Sequence, residues 1–402
     1  MSSVIRVLWL GLEYPPLPGG DAQMSKMLCS EFEHFSEIEL HVITAALGER
    51  LEVSSQASNV TIHRVPLGYP SDRVRNLNTL ESLVYLVRAR NYARELRSNK
   101  RFDLCHAIGT IPCGFLAYRW RQSMPYLVSI RGWDVPGFSE QFLGFHSLVK
   151  GTIQEIWKNA HTVAATSSDL QDLAHRTERG CAIRIIPDGV DLSRFSVTPR
   201  NSDGYFRIVF SGGFFERKGI GFLIDAVSSL APRFPNLQLV LAGDGNRRQE
   251  LEQQVRERNL ESVVEFLGHV PEVDMPNVYA NADVFVLPSL MESLSSSLLE
   301  AMASGLPIIT TSTGGSRDWI SGNGVIVAMH DAESIARAIE SYLVNPQLWQ
   351  EHSNNSRKIA KRFTWESSAS QYRSLYHEIV KSPRSTIEQG KYGGVVRLSL
   401  EP

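Results

Sequence analysis

No stretch of the 402-residue sequence is apolar for long enough to cross a membrane. The longest apolar runs, such as Val284–Leu287, fall far short of the roughly 20 residues that a spanning helix needs. The N-terminal residues lack the basic segment and the small-residue cleavage site of a signal peptide, and residues 4–10 are typical of a buried strand. We therefore expect a cytoplasmic protein.

Cysteine and net charge are scarce as well. The four cysteines form no C-x-x-C pair and no histidine cluster accompanies them, so neither a disulfide framework nor a zinc site is expected. The net charge of −2 gives no overall attraction to nucleic acid. What remains is an ordinary globular composition, and the length suggests two or three domains.

The order of the secondary structure elements predicts the fold class. In the first half, short β-rich runs alternate with helical patterns, which is typical of a parallel sheet wound by helices. Strands are predicted at residues 4–10, 39–44, 61–65, 103–107, 126–130, 163–166 and 183–186, and helices at residues 21–35 and 80–96.

A polar segment, residues 197–204, has the composition of a linker, and the alternation restarts after it. Strands are predicted there at residues 207–211, 237–242, 264–266, 284–287 and 307–311, and helices at residues 220–231, 247–259, 297–304, 331–344 and 365–380. We predict an α/β protein with two Rossmann-like doubly wound domains, residues 1–197 and 205–380, that face a cleft. We expect the last helix, about 365–380, to pack back on the first domain, and residues 381–402 to form a loosely ordered tail.

Ligands of such sheets bind beyond the carboxyl ends of the strands, so the loops that follow strands are the candidate site. Gly19 and Gly20 precede the first helix, where free N–H groups favour an anion. Gly212 and Gly213 end a strand of the second domain, and Lys218 stands just before the next helix, where it could neutralise a phosphate. The segment does not fit G-x-x-x-x-G-K-[ST], which excludes a P-loop.

Glu292 and Glu300 are separated by seven residues. Glu292 is predicted in the loop after strand 284–287 and Glu300 in the first turns of the next helix, so both can point into one cleft. Gly314 and Gly315 follow another strand and offer a second anion site rich in N–H groups.

These segments together resemble the family-four retaining glycosyltransferases of the two-Rossmann (GT-B) architecture, whose signature is E-x7-E. The resemblance covers most of the chain, and its specificity lies in the order of the short motifs. They are PPLPGG, IIPDGVDLSRF, SGGFFERKG, LAGDG, EFLGHV, ADVFVLPS, LLEAMASGLPI and TGGSRDW.

The resemblance implies a role for each matching residue. Glu300 is expected to accept hydrogen bonds from both ribose hydroxyls of a sugar nucleotide, Glu292 to hold a hydroxyl of the donor sugar, and Lys218 to bind the diphosphate. The remaining donor-binding residues implied are Gly19, Gly20, Gly212, Gly213, Val270, Ser293, Leu294, Ser295, Gly314 and Gly315. No cofactor or metal is expected, and the sequence contains no D-x-D triplet, which marks the metal site of the other main glycosyltransferase architecture.

The sequence departs from the family pattern at several positions. Gly213 stands where an arginine is usual, and Arg217 is nearby but shifted in register. Arg131 stands where many members carry histidine; it is a candidate catalytic residue that contacts phosphate or sugar, or else it forms a surface salt bridge with Asp134. The usual Gly-Phe-Gly is replaced by residues 293–295, and Asp318 replaces a glutamate.

Residues 71–102 have a local net charge of +5, and Leu77, Leu80, Val84 and Val87 lie at helical spacing. This pattern is typical of a helix that rests on an anionic membrane surface, and also of a core-facing helix with a solvated basic back.

We interpret the chain as a retaining hexosyltransferase that uses a nucleotide sugar such as a UDP- or GDP-hexose. The acceptor would be a glycan, a lipid-linked molecule or another glycoconjugate, in polysaccharide biosynthesis, with the enzyme peripheral on the inner face of the membrane. Two alternatives remain open: a sugar-nucleotide epimerase or hydrolase on the same fold, and a non-catalytic nucleotide-sugar-binding partner of another transferase.

Overall fold

The computed structural model describes residues 4–46, 48–68, 77–139, 142–198 and 203–382. In these residues the chain forms two sheets with helices packed on them, one in each half of the sequence. The predicted fold class, α/β with two Rossmann-like domains, is confirmed. The predicted tail from residue 383 onward, residues 199–202 of the linker and residues 71–76 of the basic segment lie outside the described residues.

The first sheet has the strand order β3-β4-β2-β1-β5-β6-β7-β8. Its strands are β1 (Ile5–Leu10), β2 (Ile38–Ala46), β3 (Glu52–Ala57), β4 (Val60–Pro66), β5 (Leu104–Ile108), β6 (Tyr126–Ser129), β7 (Thr162–Ala165) and β8 (Ile183–Ile185). The prediction of a parallel sheet is wrong at one edge, where β3 pairs antiparallel with β4. Strand β3 is mostly exposed, so its sequence lacks the apolar run that marks the other strands.

The second sheet is parallel throughout, with the order β11-β10-β9-β12-β13-β14. Its strands are β9 (Phe206–Ser211), β10 (Leu237–Ala242), β11 (Val264–Gly268), β12 (Val284–Leu287), β13 (Ile308–Thr311) and β14 (Gly324–Val327). Strands β1 and β9 each lie where the strand order reverses, which is where doubly wound sheets open a crevice for ligands.

The helices are more numerous than the sequence patterns predicted. They are α1 (Gly20–Phe32), α2 (Thr79–Asn99), α3 (Phe115–Arg119), α4 (Leu143–Asn159), α5 (Ser168–Thr177), α6 (Ile220–Leu230), α7 (Arg248–Glu257), α8 (Met275–Ala280), α9 (Ser296–Ala303), α10 (Ser316–Trp319), α11 (Ala332–Val344), α12 (Pro346–Ala360) and α13 (Trp365–Lys381). No helix of the described residues is long and apolar enough to span a bilayer.

Helix α13 lies against the first domain although it follows the second along the chain. Its buried residues join the same apolar cluster as Trp9 and Phe32. The Tyr376 hydroxyl is 2.7 Å from Nδ1 of the buried His106, and the side chain of Ser368 donates to the carbonyl of Pro187 at 2.6 Å. The helix therefore ties the end of the second domain to the first sheet.

All four cysteines, Cys29, Cys105, Cys113 and Cys181, are buried, and none is in a disulfide. Burial raises the pKa of the Cys113 thiol to about 12, which keeps that side chain neutral.

Candidate active site

Lys218 and Glu292 form a buried ion pair at the carboxyl edge of the second sheet. Lys218 ends a single 3₁₀ turn after β9, and Glu292 lies in the loop after β12, the strand next to β9. The Lys218 Nζ is 2.5 Å from the Glu292 Oε2, and the two side chains are only 9% and 10% exposed. A second cation, Arg217, places Nη1 3.3 Å from Oε1 of Glu292.

The charges around Glu292 determine its protonation state. Burial alone would raise the pKa of this carboxyl, but Lys218 and Arg217 outweigh burial and hold it below its usual value. The side chain of Ser289 adds a hydrogen bond of 3.2 Å to Oε2. Glu292 is therefore an ionised carboxylate with fixed orientation, suited to hold a hydroxyl group.

Glycines pack closely around this pair. A Cβ on Gly212, whose φ is +144°, would lie 3.8 Å from the Lys218 Nζ, and a Cβ on Gly314 would lie 3.0 Å from the Glu292 Cβ. A Cβ on Gly213 would collide with the ring of Phe215. The structure thus brings the loops of Gly212, Lys218, Glu292 and Gly314 together.

Glu300 lies in α9, as predicted, and is bonded by a residue that the sequence reasoning missed. The hydroxyl of Tyr279 in α8 donates to its Oε2 at 2.8 Å and is itself 2.7 Å from the Ser211 Oγ. Burial raises the pKa of Glu300, with the charge of Glu272 adding to it, while Tyr279 and Arg194 oppose the rise. Among the described residues the second oxygen, Oε1, has no hydrogen-bond partner.

The loop at Gly314 and Gly315 meets the first domain. The Gly315 N–H donates to Oδ2 of Asp169 at 2.8 Å, and the Ser168 N–H donates to Oδ2 of Asp318 at 3.0 Å. Asp169 of α5 therefore binds the residue that precedes α10, and Asp318 of α10 binds the first residue of α5. The N–H of Gly315, expected to be an anion site, bonds a carboxylate of the protein itself.

Arg131 is not placed as the sequence suggested. Its guanidinium is 8% exposed and donates to Asp21 at 2.8 Å and to both oxygens of Asp188 at 2.9 and 2.6 Å. The surface salt bridge with Asp134 is wrong, because Asp134 is buried and accepts instead from the Arg131 backbone N–H at 2.7 Å. Three of the five guanidinium N–H groups are thus bonded to Asp21 and Asp188, and the pairing fixes the orientation of both carboxylates. The catalytic role of Arg131 stays a prediction.

Gly19 and Gly20 lie at the start of α1, on the first-domain side of the cleft. Gly19 has a φ of +122°, and a Cβ there would lie 2.8 Å from the Glu13 carboxylate, so glycine is required whether or not a ligand binds. One turn into α1, Gln23 donates at 3.1 Å to Glu272, which follows β11 in the second domain. The two domains therefore face each other across this end of the cleft.

The remaining predicted residues border the site at its edges. Val270 is half-buried in the loop after β11, two residues before Glu272. Leu294 packs against the core of the second domain, and Ser295 precedes α9 with its hydroxyl 2.8 Å from that of Ser297. Ser293 is half-buried between Glu292 and these residues. The loop of residues 293–295 is therefore held by packing at its carboxyl end.

Within the described part of the chain, no group of three or more His, Cys, Asp or Glu side chains could hold a metal ion.

Comparison with known proteins agrees with this geometry. Two family models match the chain: glycosyltransferase family 4 over residues 18–194 and glycosyl transferases group 1 over residues 195–362. Together they span nearly all of both domains. The chain therefore belongs to the family-four glycosyltransferases of GT-B architecture, and it is a glycosyltransferase.

Individual relatives cover almost the whole chain. An uncharacterised glycosyltransferase of Methanocaldococcus jannaschii is 23% identical over 94% of this chain and 99% of its own length. The structure of sucrose-phosphate synthase from Thermosynechococcus elongatus has a TM-score of 0.78 at 20% identity, covering 94% of this chain and 100% of that one. Anabaena HepE in complex with UDP-glucose has a TM-score of 0.71 at 20% identity, covering 93% and 100%. At these identities the structural matches establish the fold.

Proposed function

We propose that this glycosyltransferase moves a hexose from a nucleoside-diphosphate sugar to a glycan, lipid-linked or other glycoconjugate acceptor, with retention of the anomeric configuration and without a metal ion. The observation that carries the proposal is the arrangement of Lys218, Glu292 and Glu300 at adjacent strand ends of the second sheet. Polysaccharide biosynthesis is the setting that we propose for this reaction.

Glu300 is proposed to bind the ribose. A vicinal diol offers two hydroxyl donors, and a carboxylate can accept both. The open oxygen of Glu300 and the oxygen shared with Tyr279 fit this use, since Tyr279 fixes the orientation of the carboxylate. The rest of the nucleotide would extend toward Val270.

Lys218 and Arg217 are proposed to bind the diphosphate. Breaking the bond between sugar and phosphate places negative charge on the leaving group, and preorganised cations stabilise that charge. Lys218 would exchange part of its contact with Glu292 for the phosphate. Arg217 is half-exposed beside the same carboxylate, which supports it as the replacement for the arginine missing at position 213. Glu292 would then hold the sugar, and the leaving phosphate would take the proton of the acceptor.

UDP-glucose is the first donor to test, because the related fold of HepE holds it. The experiment is a thermal-shift panel with UDP, GDP, ADP and TDP on the wild type and Glu300→Ala. A ligand at about 100 times its dissociation constant should stabilise the fold by roughly 2.7 kcal/mol. A shift with one nucleotide that disappears in the variant supports the proposal. A shift that persists unchanged in a folded Glu300→Ala protein refutes the ribose role.

We also propose that α2 rests on an anionic membrane. The sequence grouped Leu77, Leu80, Val84 and Val87, but the structure divides them: Leu77 and Val84 pack on the core, while Leu80 and Val87 are 60% and 58% exposed. The exposed face is instead Leu80, Leu83 and Val87, continued along the helix by two exposed arginines, Arg90 and Arg94. An apolar stripe beside cations is the pattern that binds anionic lipid.

Vesicle sedimentation tests this surface. Wild type should bind phosphatidylglycerol-containing vesicles. Arg90→Gln/Arg94→Gln should bind roughly 30-fold more weakly, since two basic residues near the surface contribute about 1 kcal/mol each. The control replaces two exposed arginines of the second domain, Arg256→Gln/Arg337→Gln. Equal binding by both double variants would remove the membrane proposal.

A further inference from the structure

The first-domain wall of the cleft carries a carboxylate without a partner. Glu13 lies in the loop after β1, with its Oε2 beside Gly19. Among the described residues Glu13 has no hydrogen bond and no ion pair. It is only partly exposed, so the carboxylate has lost water without gaining a protein donor.

A negative charge acts directly on Glu13. It is the carboxylate of Asp21 in α1, and Asp188 is joined to Asp21 through the guanidinium of Arg131. Among the described residues, the cation bonded to Asp21 and Asp188 is Arg131, whose guanidinium donates to both. Trp133 donates its indole N–H to the other oxygen of Asp21 at 3.0 Å. This acidic wall, which we define as Glu13, Asp21 and Asp188, therefore has more carboxylates than cations.

The acidic wall and Glu300 lie on opposite sides of one cleft. Gln23, two residues after Asp21, bonds Glu272 of the second domain. Glu272 in turn is near enough to Glu300 to act on its charge. A donor bound at Glu300 would therefore lie opposite the acidic wall.

We propose that Glu13 accepts a hydrogen bond from a hydroxyl of the acceptor, and that the acceptor presents a neutral sugar, not a phosphate, to the acidic wall. The proposal rests on the transferase function proposed above and specifies its acceptor side. A carboxylate bonds a hydroxyl more strongly than a neutral group does. An anionic acceptor group would be repelled by the ionised carboxylates of Glu13 and Asp21. Arg64, a cation that contacts this loop, donates to the Pro15 carbonyl at 3.3 Å and to the Ser54 hydroxyl at 3.0 Å.

The protonation of Glu13 gives the test a second readout. Burial, with the charge of Asp21 added, raises the pKa of Glu13 from 4.5 to about 7. A folded-state pKa above the unfolded one means that the folded state holds the proton more tightly, so the stability contributed by this group is lost as pH rises from about 4.5 through 7. Ionised Glu13 binds the hydroxyl best, so the acceptor KM should fall as pH rises through about 7, where Glu13 ionises in the folded enzyme.

The experiment measures how the donor sugar is divided between water and an added acceptor. The donor is the sugar nucleotide chosen by the thermal-shift panel, and the acceptor probes are neutral p-nitrophenyl glycosides and, as the anionic probe, glucose 1-phosphate. In Glu13→Gln the ratio of transfer to neutral glycosides over hydrolysis of the donor should fall at least about tenfold relative to wild type, and the acceptor KM should lose its pH dependence near 7. Glu13→Asp should restore part of both, and the exposed Glu261→Gln is the matched control.

Two results would overturn the inference while the transferase function stands. One is an active Glu13→Gln enzyme with unchanged transfer to neutral glycosides. The other is a wild type that prefers glucose 1-phosphate. If the wild type consumes none of the donors, the transferase function is overturned and the acceptor role with it. This holds even where thermal unfolding between about pH 4.5 and 7 still differs between wild type and Glu13→Gln.

Discussion

At the residue scale, the diphosphate site that we propose depends on the buried Lys218–Glu292 pair. Each charge is nearly removed from water, and each is stabilised by the other. A buried pair of this kind is costly to form and still more costly to break on one side only, because the remaining charge is left without a partner. Gly212 and Gly314 lie beside the pair.

Lys218→Ala should slow transfer about 100-fold or more, since one preorganised donor to a developing charge contributes that much to the rate. The donor KM should change less than kcat. Steady-state kinetics on the wild type, Lys218→Ala and the exposed Lys361→Ala measure both constants. A Lys218→Ala enzyme with the wild-type kcat would mean that the lysine does not act on the leaving group.

Tyr279→Phe should weaken nucleotide binding without changing the shape of the pocket. The hydroxyl opposes the rise in the Glu300 pKa that burial causes, so removing it raises that pKa further. Protonated Glu300 offers one acceptor fewer, so UDP affinity should fall more steeply on acidification in Tyr279→Phe than in wild type.

Calorimetric titration of UDP at neutral and mildly acidic pH checks the Tyr279 prediction, with Tyr205→Phe as the control. If UDP affinity depends on pH in the same way in the two tyrosine variants, the Tyr279 hydroxyl does not determine the pKa of Glu300.

At the element scale, buried strands were predictable and exposed or short elements were not. Strands β10 and β12 were predicted with the bounds that the structure gives, because buried strands of a parallel sheet are continuous apolar runs. The exposed edge strand β3 and the four-residue helix α10 carry no such signal. The sequence does carry a signal for the start of helix α12, which our sequence analysis did not predict: Asn345 caps the helix and Pro346 is its first residue.

Helix α13 supplies a stability prediction. Tyr376→Phe deletes the hydroxyl that contacts Nδ1 of His106, a histidine whose pKa burial lowers to about 3. The ring nitrogen is left unsatisfied in the core, which should cost about 1–3 kcal/mol of unfolding free energy. Urea unfolding of Tyr376→Phe beside the exposed Tyr205→Phe measures the difference. No loss of stability relative to that control would mean that α13 is not held through this contact.

At the scale of the whole molecule, the site depends on how the domains meet. The motifs in the sequence pointed to Lys218, Glu292 and Glu300, because each lies in the loop or the helix that follows a buried strand of the second sheet. Asp169 and Tyr279 could not be located in that way, since their partners Gly315 and Ser211 lie 146 and 68 positions away along the chain. The two reciprocal bonds between α5 and α10 show this most directly, as each joins residues about 150 positions apart.

Asp169→Ala/Asp318→Ala should loosen the two domains. Both reciprocal bonds are lost, and charge-assisted bonds of this kind contribute about 1.5–3 kcal/mol each. The radius of gyration from X-ray scattering should rise and the donor KM should increase several-fold, while Asp172→Ala, an exposed change on α5, should leave both as in wild type. An unchanged radius and KM in the double variant would show that these contacts do not hold the domains together.

The most direct test of the account follows the anomeric protons by NMR during incubation with UDP-, GDP-, ADP- and TDP-glucose. The account predicts that one donor is consumed, that the first-formed sugar product keeps the α configuration of the donor, and that Lys218→Ala and Glu300→Ala lose this reaction. Consumption of no donor by the folded wild type, or a first product with the β configuration, would contradict it.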